Sequence, residues 1–161
     1  MRAWDVRVQR GDAGRFMKEQ VAAAREAGVE LLVLRGDLVF GRDHISAGVL
    51  HARRAIDEKR NSSESLAMEA LLYISGERQL ASAIKKMSVG PSTTEVVVAQ
   101  LTKGGFDAGE GWTEVPPVRA YIDARALAAF GITEAELSTV PEARRGELVL
   151  EKVASVDITK R

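Results

Sequence analysis

Helical periodicity over residues 43–87 is the feature that most constrains how this chain can fold. Within residues 43–60, one apolar stripe recurs at helical spacing, formed by Ile45, Val49, Ala52 and Ile56. Asp43 is the expected N-cap of this helix, because its short carboxylate can accept a hydrogen bond from the first free amides. Two further helices are predicted at Glu64–Ser75 and Glu77–Met87. The middle of the chain is therefore predicted to be helical.

Strand patterns lie on both sides of this helical block. Alternation, short apolar runs and β-branched residues predict strands at Trp4–Gln9, Leu31–Leu34 and Thr94–Leu101, and a short strand or strand end at Leu38–Phe40. Residues 112–122 also resemble a strand, which Pro116 and Pro117 confine to a sheet edge or a bent connection. Other helices are predicted at Arg15–Ala27, near Ala124–Phe130, and after capping boxes at Thr133 and Thr139. This order predicts one α+β domain over residues 1–161, with a mixed or antiparallel sheet packed against several helices.

Composition excludes several classes of protein. Of the 161 residues, 45% are hydrophobic and 29% are charged, which is the balance of a soluble globular domain. The chain has no cysteine, which excludes disulfides, thiolate metal sites and cysteine catalysis. No apolar run approaches the ~18–20 residues that span a bilayer, and the charged start is unlike a signal peptide, so we expect a cytoplasmic protein. A single asparagine, Asn61, beside many charged residues is typical of a thermophilic source.

Residues that could carry catalysis or bind a metal are few. His44 and His51 share a helix but stand ~10 Å apart along it, and chelation of one metal needs a partner at the position of Gly48. Nucleophile-elbow, dinucleotide-binding and P-loop motifs are absent from the sequence. Glu69 lies in an apolar run and needs a partner, for which Arg78 and His51 are candidates, because an unpaired buried charge costs several kcal/mol. We therefore predict no catalytic residue, cofactor or metal, and structural roles for His51 and Glu69.

Charge is distributed unevenly although the chain as a whole is neutral. Residues 1–88 contain 15 Lys and Arg against 12 Asp and Glu, whereas residues 89–161 contain 8 against 11. Solvated helix faces explain such an excess. The functional alternative is a small basic surface that holds a few phosphates of a single-stranded RNA end.

An ordered set of short motifs runs through residues 43–101. It consists of a helix with Ala47, His51, Ala52 and Ala55, then Glu69 before Leu71-Leu72-Tyr73, then Ser75-Gly76, Arg78-Gln79-Leu80, Ala83-Ile84 and a strand of valines. With these gaps, the segment resembles the small kinase-binding subunit of the KEOPS complex, which makes the threonylcarbamoyl modification of the adenosine beside the tRNA anticodon. Elsewhere only the order of elements agrees, and Ser88 stands where the family usually has glycine.

This resemblance implies a non-catalytic subunit with two partners, the small atypical kinase/ATPase of the complex and the unpaired 3′ CCA end of tRNA. Unpaired nucleotides are held by positive side chains and by flat or apolar surfaces. Residues of these kinds in the helical middle of the chain are our candidates for RNA binding: Arg42, His44, Tyr73, Ile74, Arg78, Lys85 and Lys86. Arg78 and Lys85 are expected to share one face of the third helix.

The last predicted helix is the candidate surface for the kinase. Residues 148–156 are rich in apolar side chains, and Val149 and Val153 lie on one side of the helix. Leu150 widens this stripe beyond what a single core contact needs. We predict that Val149, Leu150 and Val153 bind the partner, and the alternative is a helix wedged between the sheet and another helix.

Two other functions are kept as alternatives. A small acid/base enzyme using Glu69 or His51 would have a pocket that converges on those residues. A self-associating scaffold with no RNA role would retain no tRNA at low salt.

Overall fold

The computed structural model describes residues 1–160, which form two compact units. The first unit is made of Met1–Val39 and Met87–Val115, and the second is made of Phe40–Lys86 and the segment from Pro116 onward. Residues 1–160 contain seven α-helices and one four-stranded antiparallel sheet, which confirms the predicted α+β class. A single domain over the whole chain stays a prediction.

The first unit is a sheet covered by one helix. Its elements are β1 (Arg2–Arg7), α1 (Ala13–Glu26), β2 (Leu31–Arg35), β3 (Glu95–Gln100) and β4 (Thr113–Glu114). The strand order is β2-β3-β1-β4, and every neighbouring pair is antiparallel. Val98 lies opposite both Trp4 and Val33, and these side chains share a core with Ala24 of α1 and with Phe106. Alternate residues of each strand thus face this core, as the period of a strand requires.

The second unit is helical. Its elements are α2 (Arg42–Asp57), α3 (Leu66–Ser75), α4 (Leu80–Met87), α5 (Ala124–Ala129), α6 (Glu134–Ser138) and α7 (Arg145–Thr159). Helix α2 packs against α3 and α7. Gly48 allows the close approach of α2 to α3, because a Cβ atom at this position would collide with Ile74. None of the helices within residues 1–160 has both the length and the apolar character needed to cross a bilayer.

The predicted cap of α2 is wrong. Gly41 is the N-cap, with φ of 135°, a backbone conformation that favours glycine. The carbonyls of Pro116 and Pro117 accept hydrogen bonds from the N–H groups of Arg42 and Asp43, at 2.8 and 3.0 Å. A neighbouring backbone segment therefore satisfies amides that a side-chain cap was expected to serve, and Asp43 lies exposed in the first turn.

Some of the other local predictions are confirmed and others are wrong. The capping box of Thr133 is confirmed, with Glu136 bonded back to the N-cap backbone. Thr139 instead ends α6, and α7 begins at Arg145 after a single 3-10 turn. Leu38–Phe40 is not a strand, because residues 36–38 form a 3-10 turn. The edge position of the proline-limited strand is confirmed, although β4 is only two residues long.

Candidate functional site

A cluster of polar side chains joins α7 to α2 and α3 around Asp157. Tyr73 Oη donates a hydrogen bond to this carboxylate at 2.8 Å, and His51 Nδ1 lies 2.6 Å from its other oxygen. The His51 and Tyr73 rings are stacked, with centroids 5.5 Å apart. Burial alone would raise the pKa of Asp157, but the hydrogen bonds from Tyr73 and His51 outweigh it and lower the pKa. The carboxylate therefore stays ionised and holds three helices together.

Glu69 lies at the start of α3 and is completely buried. Its carboxylate accepts hydrogen bonds from the N–H groups of Ser62 and Ser63, at 2.9 and 3.0 Å, and forms an ion pair with Lys160. The partner is therefore Lys160, and the candidate Arg78 is exposed. This arrangement binds the loop before α3 and the end of α7 to one buried charge.

Sequence reasoning missed Asp157 and Lys160, the residues that satisfy His51 and Glu69. Their positions along α7 could have identified Asp157 and Lys160 as inward-facing residues. Side chains three residues apart lie on the same face of a helix, and Asp157 and Lys160 extend the side that Val153 and Val156 bury. Polar residues at inward positions require polar partners.

His44 is a buried packing residue, so the prediction that it binds RNA is corrected. Its Nε2 atom lies 2.8 Å from the Ile74 carbonyl oxygen, and its Nδ1 accepts a hydrogen bond from the Phe40 N–H at 3.3 Å. Because a carbonyl can only accept, the proton is on Nε2 and the ring is neutral. Burial lowers the pKa of His44 to about 4. Neither ring nitrogen is available to a phosphate.

Three more of the RNA-binding candidates are corrected, two of them by burial and one by its internal contacts. Tyr73 and Ile74 are both 0% exposed, so neither offers a surface on which a base can stack. The Lys86 ammonium donates hydrogen bonds to the Ser75 carbonyl at 2.6 Å and to Glu77 at 3.2 Å, and lies 3.9 Å from the centroid of the Phe130 ring. Lys86 thus satisfies the end of α3 rather than facing solvent.

The remaining RNA-binding candidates lie nearer the surface. Arg78 and Lys85 are exposed, and Arg42 is half-buried. Arg78 lies in the turn before α4 and Lys85 lies within α4. The helical spacing that predicted a shared face therefore does not apply to this pair.

The three kinase-binding candidates on α7 separate into core and surface. Val149 and Val153 are 0% exposed, so the prediction that they contact a partner is corrected. Leu150 is half-buried and lines a pocket of about 110 Å³ together with Phe40, Val118 and other residues near the starts of α2 and α7. Of the three, Leu150 alone is accessible within the described residues.

The geometry gives little support to the enzyme alternative. The pocket beside Leu150 is lined by neither Glu69 nor His51, both of which are engaged by Lys160 and Asp157. Within residues 1–160, no group of three or more His, Asp or Glu side chains is placed to hold a metal ion.

The described residues form a small α+β protein. Polar side chains join its helices α2, α3 and α7, and an accessible, mostly apolar pocket lies near the starts of α2 and α7. The family described as kinase binding protein CGI-121 matches residues 11–116, which is more than half of the chain. The chain therefore belongs to the CGI-121 family, which confirms the resemblance found in residues 43–101. The match ends before α5, so Leu150 and Asp157 lie outside it.

A curated relative from Coccidioides immitis (strain RS), named EKC/KEOPS complex subunit CGI121, is 24% identical over 87 residues. These residues are 54% of this chain and 42% of the relative. The matched region thus spans less than half the length of that protein.

Proposed function

We propose that this protein is a non-catalytic subunit of a KEOPS complex that binds the atypical kinase/ATPase of the complex and recruits tRNA through its 3′ CCA end. The family match over residues 11–116 carries this proposal, because the family is described by kinase binding. The name of the Coccidioides relative supplies the KEOPS complex.

The state of the ionisable residues supports a binding role. Asp157 and Glu69 are held by hydrogen bonds and ion pairs within the protein, and His44 is neutral and bonded at both ring nitrogens. A general acid or base must reach the proton that it transfers. These groups instead stabilise the packing of α2, α3 and α7.

Leu150 supplies the most direct test of kinase binding. Wild-type protein is expected to co-purify with the kinase subunit, and Leu150→Glu is expected to abolish co-purification because it places a charge in an apolar contact. The matched control is Ile158→Glu, which changes an apolar residue that is 74% exposed on the same helix. Circular dichroism of both variants should match that of the wild type. Unfolding of Leu150→Glu alone would instead identify Leu150 as a core residue and overturn its assignment to the interface.

Recruitment of tRNA is tested separately with intact tRNA and with tRNA that lacks its terminal CCA. Filter binding should show weaker retention of the shortened tRNA, by this protein alone or by its complex with the kinase. Because few phosphates are contacted, the logarithm of the affinity should fall with the logarithm of salt concentration at a slope of roughly 0.7 per phosphate. Equal retention of both tRNAs would refute recognition of the 3′ end.

A further inference from the structure

The pocket beside Leu150 has the dimensions of a site for one side chain. Its volume of about 110 Å³ is well below the roughly 300–1,000 Å³ of small-molecule sites. Phe40, His44, Val118 and Leu150 contribute to its lining. The site is therefore too small for a cofactor and suits a single side chain from a protein partner.

The lining of the pocket is mostly apolar, and His44 offers it no free hydrogen-bond donor. That ring is neutral, and both of its nitrogens are bonded within the protein. Val118 is 52% exposed, so the apolar lining is open to solvent. Ala143 and Gly146 also line the pocket, and because both residues are small they leave its volume open. An aliphatic or aromatic group entering here would exchange water for apolar contacts.

Two carboxylates also border this apolar lining. Asp43 is exposed in the first turn of α2, and its side chain has no ion-pair partner among residues 1–160. Glu147 accepts two hydrogen bonds from Arg144, at 2.9 and 2.7 Å, and these bonds lower the pKa of the Glu147 carboxyl. The Asp43 carboxylate thus lies beside a mostly apolar cavity, a combination that complements a side chain with an apolar stem and a cationic head.

We infer that this pocket receives one arginine or lysine side chain of the kinase partner, with its stem against Leu150 and Val118 and its cationic head beside Asp43. This inference rests on the proposed function, because it assigns a contact to the same interface. A buried anchor of this kind at the centre of an interface commonly contributes much of the binding energy.

The inference is tested by measuring the affinity of the purified full-length protein for the kinase subunit. Asp43→Lys, which reverses the charge, is expected to weaken binding at least tenfold, and Asp43→Asn is expected to weaken it several-fold. Ala143→Phe, which fills the pocket from an exposed position, should also weaken binding at least tenfold. Asp57→Lys is the matched control, since it reverses an exposed charge at the other end of α2 and should change affinity less than twofold.

Cross-linking identifies the side chain that occupies the pocket. A photoreactive benzoylphenylalanine in place of Ala143 should attach to a kinase segment that contains Arg or Lys, and replacement of that residue by Ala should reproduce the loss seen with Asp43→Lys. If wild-type protein binds the kinase while Asp43→Lys and Ala143→Phe bind equally well, the pocket inference is overturned and the proposed function stands. If wild-type protein does not bind the kinase, the proposed kinase-binding function itself fails. Thermal melting of each variant separates these results from misfolding.

Discussion

Helices α2 and α7 pack side by side and run in the same direction. The charged side chains near their C-terminal ends differ in their partners from those near their N-terminal ends. Near the C-terminal ends, Asp157 binds His51 and Tyr73. Near the N-terminal ends, the buried His44 is neutral, and the carboxylates of Asp43 and Glu147 lie around a pocket. The Asp157 charge at one end thus has partners within the protein, whereas the Asp43 carboxylate at the other end is exposed to solvent.

This difference separates residues that stabilise the fold from residues that can bind a partner. A charge with internal partners is costly to disturb, because removal of one partner leaves the other buried and unsatisfied. A charge at the edge of an apolar pocket has lost little hydration and remains available. We therefore expect substitutions of internally partnered groups, at either end, to lower stability, and substitutions of exposed charges to lower binding.

The largest expected effect concerns the buried His44 and the dependence of stability on pH. In the unfolded chain a histidine has a pKa near 6.5, whereas burial lowers the pKa of His44 to about 4 in the folded protein. Between these values the unfolded chain binds more protons, so the free energy of unfolding falls as pH decreases from 6.5 towards 4. The shift corresponds to about 3 kcal/mol, and chemical denaturation across this range measures it.

The His44→Gln variant is the control, because an amide keeps hydrogen-bonding capacity but does not titrate. It should be less stable than the wild type at pH 7 and should lack the part of the pH dependence that belongs to this ring. Parallel curves for the two proteins between pH 6.5 and 4 would show that folding does not lower the pKa of His44.

The second effect concerns Glu69 of α3, which is paired with Lys160 at the C-terminal end of α7. Glu69→Gln keeps the shape but removes the charge that Lys160 and the amides of Ser62 and Ser63 require. The free energy of unfolding should fall by about 1–3 kcal/mol, and the melting temperature should fall with it. Affinity for tRNA per folded molecule should not change. Glu64→Gln, an exposed neighbour, should leave the melting temperature near that of the wild type. An unchanged melting temperature with lost tRNA binding would make Glu69 a recognition residue.

The smallest effect concerns the exposed cations Arg78 and Lys85, which have no part in either end of the helix pair. A combined Arg78→Glu and Lys85→Glu change should lower tRNA affinity several-fold in filter binding, with little change in melting temperature. The matched control is the pair Lys18→Glu and Arg25→Glu on α1, which are exposed and have the same spacing. Equal loss of affinity in both double variants would indicate nonspecific attraction to charge, and no loss in either would remove Arg78 and Lys85 from the tRNA interface.

Local sequence patterns were sufficient to predict most of the helices and strands and the family. The apolar periodicity of residues 43–60 predicts most of α2, because a helix buries side chains at intervals of three and four residues. The β-branched run in residues 94–101 predicts β3, and Thr133 with Glu136 predicts the cap of α6. These patterns are local, so they can be recognised without knowing which elements pack together.

Which residues are accessible and which charges are paired depends on how distant segments pack together. The side-chain chemistry of Tyr73, Ile74 and Lys86 suits RNA binding. Packing nevertheless buries Tyr73 and Ile74, and the Lys86 ammonium donates a hydrogen bond to the Ser75 carbonyl. Glu69 and its partner Lys160 are 91 residues apart in the chain. Helical periodicity shows which side chains share a face, but the neighbour of that face depends on contacts between distant segments. Burial and ion pairing arise from those contacts, and so does the pocket beside Leu150.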